Sequence, residues 1–341
     1  MRAKGITYDT GFVRGGEHSR KRFEPEVVQR ELAVIRDDLH CTAVRVTGGD
    51  PERLELAAAY AADLGLEVWF SPYPLESSAE DMLSLFADCA ERAERIRRRG
   101  AEVVFVTGAE LSLMNTGFLP GATQEERLEL LLADRDRLAE RVGGISARVN
   151  AFLAEAVPLV RARFGGRLSY AAIQLERVDW TPFDVVGVDL YRSAEVAERF
   201  ADGVRALVAQ GKPVAITEFG TAAYRDAGER GGRVLEVLEM DTRTGSPVRL
   251  REEHARDEHG QAAYVRELLE VFEAEGVDSA FLFLFALENF PHRPDGDPRD
   301  DLDLASPGIV KVLEHGHGTA YPGMRWEPKA AFAALADHYG G

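Results

Sequence analysis

Eight short runs of apolar, β-branched or aromatic residues punctuate the 341-residue sequence, at 5–8, 42–47, 67–71, 103–107, 169–175, 185–190, 214–217 and 279–285. Between them lie longer segments with helical spacing of apolar residues, at 25–39, 51–64, 79–99, 124–164 (two helices), 195–209, 261–275 and 328–339. Several helix ends are marked. Asp50 precedes Pro51, a cap ahead of a first-turn proline, and Gly65, Gly100, Gly165, Gly211 and Gly276 stand where helices should stop. The stretch from Leu175 to Val185 is too short for a full helix, so the fifth unit is abbreviated. Apolar strands alternating with helices suit a parallel sheet covered on its outer face. A count of eight predicts closure into a (β/α)8 TIM barrel rather than an open doubly wound sheet.

A minimal barrel takes about 250 residues, so the surplus resides in enlarged loops. Three places hold it, 111–123, 224–260 and 289–327, after strands four, seven and eight. The chain 1–341 therefore reads as one barrel domain, with a β-hairpin insertion near 233–250 that would wall the mouth or meet a partner subunit. Long loops on this face hint at a closed pocket.

Charge and composition narrow the function classes. With 41 Lys and Arg against 58 Asp and Glu, the formal charge of −17 repels phosphate backbones and anionic membranes, so neither nucleic acid nor membrane is an expected partner. The first dozen residues lack the apolar run of a signal peptide and no later stretch is apolar enough to span a bilayer, so the expected location is the cytoplasm. Cys41 and Cys89 are too few for a disulfide framework and read as reduced thiols.

In a parallel barrel the residue just past each strand's carboxyl end points into the shared mouth. Those positions hold Asp9, the Thr47-Gly48-Gly49 turn, Tyr73, Glu110, Glu176, Asp189 with Tyr191, Glu218 and Glu288. Glu110 and Glu218 each end an otherwise apolar strand, the fourth and the seventh, which lie nearly opposite each other. Carboxylates facing one another across a bound substrate fit a retaining glycosidase, where one is the nucleophile and the other the acid/base at roughly 5–5.5 Å. Sugar sites stack rings on aromatic faces and tie hydroxyls to charged side chains. Tyr8, Asp9, Tyr73, Glu176, Trp180, Asp189 and Glu288 are candidates for such contacts, whereas Trp69, inside its strand, reads as core.

The segment Ile216-Thr217-Glu218-Phe219-Gly220 resembles the nucleophile strand of the clan A glycoside hydrolases, retaining (β/α)8 enzymes with glutamates after strands four and seven. That resemblance implies Glu218 as nucleophile and Glu110 as acid/base. Ala43-Val44-Arg45-Val46 resembles the strand whose Arg bonds the nucleophile, and Val188-Asp189-Leu190-Tyr191 the strand whose Tyr does the same, so Arg45 and Tyr191 take supporting roles. Trp326 to Phe332 also resembles the start of the clan's last helix. Two departures stand out. Ala109 replaces the Asn that usually precedes the acid/base and binds the sugar 2-hydroxyl, and Phe285 stands in for the usual Trp platform of strand eight. The sequence is also similar to bacterial proteins labelled abortive-infection, or phage-defence, proteins.

Other constellations carry less. Asp295 to Asp303 lacks EF-hand spacing and reads as a solvated acidic loop, and His254, His259, His315 and His317 do not form a zinc-hydrolase pattern. Gly228, Gly231 and Gly232 lie outside a dinucleotide fingerprint, so no metal and no cofactor is expected. The expected activity is O-glycosyl hydrolysis of a carbohydrate or glycoconjugate. The alternatives are a barrel that binds carbohydrate or protein without turnover, and a lyase or other acid/base enzyme using Asp9, Glu176 or Asp189.

Overall fold

The computed structural model describes residues 1–132, 138–241 and 244–341. Eight parallel strands form one sheet: β1 (Ala3–Asp9), β2 (Ala43–Gly48), β3 (Glu67–Pro72), β4 (Val103–Ala109), β5 (Arg167–Ala171), β6 (Val186–Asp189), β7 (Val214–Phe219) and β8 (Ser279–Leu282). Their order is β5-β4-β3-β2-β1-β8-β7-β6. A bridge between Ala172 and Val188, with Ala172 N–H donating to Gly187 O at 3.1 Å, joins the remaining edges of β5 and β6. The result is the (β/α)8 barrel that the alternation predicts.

The outer layer comprises α1 (Pro25–Asp37), α2 (Pro51–Asp63), α3 (Ala79–Arg98), α4 (Gln124–Leu132), α5 (Leu138–Arg161), α6 (Phe200–Val208), α7 (Glu258–Ala274) and α8 (Ala330–Gly340). The Asp50 carboxylate accepts from the N–H groups of Glu52 and Arg53, capping α2 as its sequence implies. After β5 there is only a 3-10 turn, Gln174–Glu176. The apolar run 169–175 therefore overshoots its strand, because Leu175 packs from that turn. The N-terminal half of segment 195–209 is 3-10, Ala194–Arg199, and the segment from 328 gives its first residue to a short strand, Trp326–Pro328, before α8 starts.

Strand alternation separates two cores. Outward residues such as Ile6, Val44, Phe70, Phe105 and Ile216 meet the helices, while Trp69, Val104, Val106, Ala215 and Phe281 fill the barrel. A third apolar cluster lies on the mouth side, where the loops after β7 and β8 pack Tyr224, Val234, Leu250, Leu287, Phe290 and Leu304 together. Polar contacts tie the same loops: Arg256 bonds Asp301 and Asp303, each at 2.8 Å, and the buried Lys329 ammonium lies 2.8 Å from Asp303. The acidic stretch is thus partly spent on internal ion pairs. The insertion after β7 pairs Leu238–Met240 with Pro247–Leu250 antiparallel, and Gly231–Val237 before it is 3-10 helical rather than strand. Thr242 and Arg243 of the expected hairpin turn lie outside the described residues. Among the described residues no helix is long and apolar enough to cross a membrane.

Candidate active site

Two β-bulges shape the mouth. On β7, Ala280 and Leu282 of β8 pair with Ile216 and Phe219, and Val188 and Asp189 of β6 pair with Ile216 and Glu218. Both neighbours thus register an extra residue at Thr217–Glu218. Phe219 is thereby turned outward, against Phe272 of α7 at 5.1 Å, while Thr217 and Glu218 both reach the interior side. A second irregularity between Val106 and Ala109 opposes β5. Bulges re-aim side chains in this way near functional sites. Glu110 follows in the left-handed region (φ 44°, ψ 39°), a strained conformation for a residue with a side chain.

That strained turn is held from β5. Glu110 N–H donates to Ala171 O at 2.9 Å and Leu111 N–H to the Tyr170 hydroxyl at 2.9 Å. Ser112 N–H donates to Glu176 Oε1 at 2.9 Å, and Tyr170 donates to Glu176 Oε2 at 2.7 Å. Glu176, proposed from sequence as a sugar contact, is fully buried and spends both oxygens on this brace. Burial raises its carboxyl to about 7 despite those donors.

Glu218 is held differently. Arg45, fully buried, donates to Glu218 Oε1 at 2.8 Å, to Thr217 O at 2.9 Å and to Ser71 Oγ at 3.1 Å. The Tyr191 hydroxyl donates to Glu218 Oε2 at 3.0 Å. Each carboxylate oxygen therefore has one donor, from the two residues singled out in the sequence.

Glu110 has the opposite surroundings. Burial pushes its carboxyl well above the ordinary range, and the charges of Asp189, Glu218 and Glu176 add to that, against Arg45 alone. Part of its surface still reaches solvent at the mouth. Asp189 is raised as well, first by burial and then by Glu218; its Oδ1 accepts from Thr217 Oγ1 at 2.6 Å and its buried Oδ2 has no protein partner. Tyr73 belongs to the same group, since its hydroxyl is raised by burial and by Glu110, Glu218 and Asp189. Across the mouth, Asp9 accepts from Gly11 N–H at 2.6 Å through Oδ1, while Oδ2 is buried without a partner. Glu288 is near enough to raise Asp9 and lies 3.9 Å from Arg20.

Three aromatic candidates fall elsewhere. Tyr8 alternates outward from Thr7 and Asp9, is fully buried, and donates to Glu31 of α1 at 2.5 Å. Phe285 is fully buried edge-on to Trp326 at 5.2 Å, so no sugar face can reach it; Phe283 is the partly exposed ring at that strand end. Trp180 packs on Phe183 at 5.6 Å, and its carbonyl accepts from Lys212, which lies just before β7, so the ring sits near the opposite end of the barrel. With no helix after β5, the chain returns directly past α5, carrying Trp180 away from the mouth. Sequence reasoning missed Ser71, Tyr170 and Thr217, which brace Arg45, Glu176 and Asp189. Their polarity on otherwise apolar strands is the available signal. Among the described residues no group of three or more His, Cys, Asp or Glu is placed to hold a metal ion.

No family model and no curated protein matches the sequence. Solved structures do. Two structures of a GH113 beta-1,4-mannanase align over 100% of both chains at 16% identity, with TM-scores of 0.62 and 0.63. The GH113 beta-mannanase of Alicyclobacillus acidocaldarius, in complex with ManMIm, aligns over 99% of this chain and 97% of its own, at 15% identity and a TM-score of 0.58. None of these structures bears on the abortive-infection resemblance. At such identities the likeness is one of fold, and the chain shares the (β/α)8 architecture of these glycoside hydrolases.

Proposed function

We propose that the protein is a retaining glycoside hydrolase acting on a carbohydrate or glycoconjugate, with β-mannosides the first substrate class to test. The observation that carries this reading is the contrast between two glutamates at one mouth. Glu218 is fixed by a donor on each oxygen, as an oriented nucleophile needs, whereas Glu110 has no cation of its own and is pushed toward the protonated form, as a general acid needs. In this mechanism Glu218 attacks the anomeric carbon while Glu110 protonates the departing glycosidic oxygen. Glu110 then takes a proton from water as that water displaces Glu218. Arg45 and Tyr191 hold the nucleophile in line.

Ala109 favours a second reading, a barrel that binds carbohydrate or protein without turnover, since a methyl group cannot bond the sugar 2-hydroxyl. A panel of aryl β-glycosides, mannoside first, separates the two when run with wild type and Glu218→Gln. Turnover in wild type that falls by at least roughly 10³-fold in the variant supports the hydrolase. Binding of the same glycosides without turnover by either protein refutes it in favour of the binding barrel. An abortive-infection role forms no part of the proposal.

A further inference from the structure

We propose that the mouth is a pocket open on one side, built for the terminal unit of a glycan rather than for the interior of a chain. This rests on the hydrolase reading and specifies its substrate class.

The decisive element is the loop after β1, which the sequence did not mark as enlarged. It contains a small antiparallel pair, Val13–Arg14 with Glu17–His18. Phe12, just before it, packs in two directions. It joins the apolar cluster of the loops after β7 and β8, and it meets the cluster at the top of the barrel that includes Tyr73, Leu75 and Met114. The Phe12 ring stands edge-on to Tyr73 at 5.1 Å, and Tyr73 senses the charges of Glu110 and Glu218. The bridge therefore passes beside the proposed catalytic pair.

Arg14 makes a second, polar bridge. Its guanidinium grips both oxygens of Glu125 at 3.0 and 2.9 Å and reaches Glu76 at 3.3 Å, tying the loops after β3 and β4. The same guanidinium lies against Gly245 in the insertion after β7, where an added Cβ would come within 1.8 Å of Nη1. One residue thus touches chain segments that follow strands three, four and seven.

Around the barrel the walled strands are contiguous, β7-β8-β1-β2-β3-β4. After β6, Ser193 pairs with Arg230 and Glu195 with Arg233, so that segment joins the insertion after β7, and only β5 remains outside the bridges. The chain after β5 forms a short 3-10 turn, Gln174–Glu176, held through Glu176 to Tyr170 and Ser112. A polysaccharide cut in its interior needs two exits from the mouth, one on each side of the catalytic pair. The bridges leave one.

The test is product analysis with reducing-end-labelled β-1,4-mannohexaose, run beside a galactomannan viscosity assay. Release of the terminal mannose or mannobiose first, with viscosity held, is the expected result. Early mid-chain fragments and a rapid fall in viscosity overturn the pocket while leaving the hydrolase reading intact. Arg14→Ala should raise the ratio of internal to terminal cleavage severalfold, a quantity independent of how much enzyme is folded; an unchanged ratio overturns the role of the bridge. If no aryl glycoside is turned over, the hydrolase reading fails and calorimetry with manno-oligosaccharides of one to six units decides the pocket alone. Affinity that levels off after the second unit supports it; affinity that climbs to the sixth, or none for the series, overturns it.

Discussion

Asp9 offers a direct measurement of what the mouth costs the fold. Its carboxyl is almost fully buried, and burial raises it from the ordinary 3.8 to about 7 against the pull of Gly11 N–H, Arg20 and Arg53, with Glu288 reinforcing the rise. In Asp9→Asn the amide oxygen can still accept from Gly11, and an uncharged amide replaces the unpartnered Oδ2. The sign follows from proton binding. Between pH 4 and 7 the folded protein retains the Asp9 proton while the unfolded chain has lost it, so stability falls as pH rises through that window and levels off above it. A difference of about 3 in pKa, at about 1.4 kcal/mol each, sets the cost at pH 8 on the order of 4 kcal/mol. Asp9→Asn should therefore match wild type in urea unfolding near pH 4 and exceed it by about 2–4 kcal/mol at pH 8. A variant equally stable at both pH values, or less stable at pH 8, would refute the argument that Asp9 is held against its own solvation. A variant that gains stability but loses sugar affinity would mark Asp9 as a binding residue maintained at the expense of the fold.

Three further outcomes are expected. Tyr191→Phe removes one charge-assisted bond to Glu218, worth about 1.5–3 kcal/mol, so kcat/KM should drop roughly 10- to 150-fold while the melting temperature moves little; an unchanged rate would deny Tyr191 its role. Because Glu110 is held well above the ordinary carboxylate range, hydrolysis of poor leaving groups should persist past the pH at which an exposed glutamate ionises, and Glu110→Gln should erase the alkaline limb for activated aryl substrates. A limb that survives in the variant would assign it to another group. Lys329→Met leaves buried Asp303 facing Arg256 alone and should cost about 3 kcal/mol or more, read as a melting temperature lower by on the order of 5 °C. Wild-type stability would show that the pair adds nothing.

The candidate site draws mainly on residues at strand ends. Glu110, Glu218, Arg45 and Tyr191 each sit at or within a recognisable apolar strand, and the last three meet in space through hydrogen bonds. Tyr8, Phe285 and Trp180 lie away from the mouth, Trp180 because the chain after β5 carries it to the opposite end of the barrel and the other two because they face the helix layer. Proximity to a strand end does not say which face a side chain takes, and a single step along a strand exchanges barrel interior for helix layer. Glu176 was placed at the right height, but its oxygens go to Ser112 and Tyr170, a role visible only once β4 and β5 lie side by side.

By itself the sequence determined the eightfold alternation, the cap of α2, the abbreviated fifth unit and the polar residues that punctuate apolar strands. These are local properties, set by the periods of strand and helix and by the preferences of Asp, Pro and Gly at their ends. Tertiary structure alone decided which residues cooperate at the mouth. The bulge at Thr217–Glu218 is visible only as a mismatch with β6 and β8, and the grip of Arg14 on Glu125 spans 111 residues of sequence. Such contacts depend on ring closure, which brings strands one, four and seven to a common rim and sets the side chains of that rim within bonding distance whatever their separation along the chain.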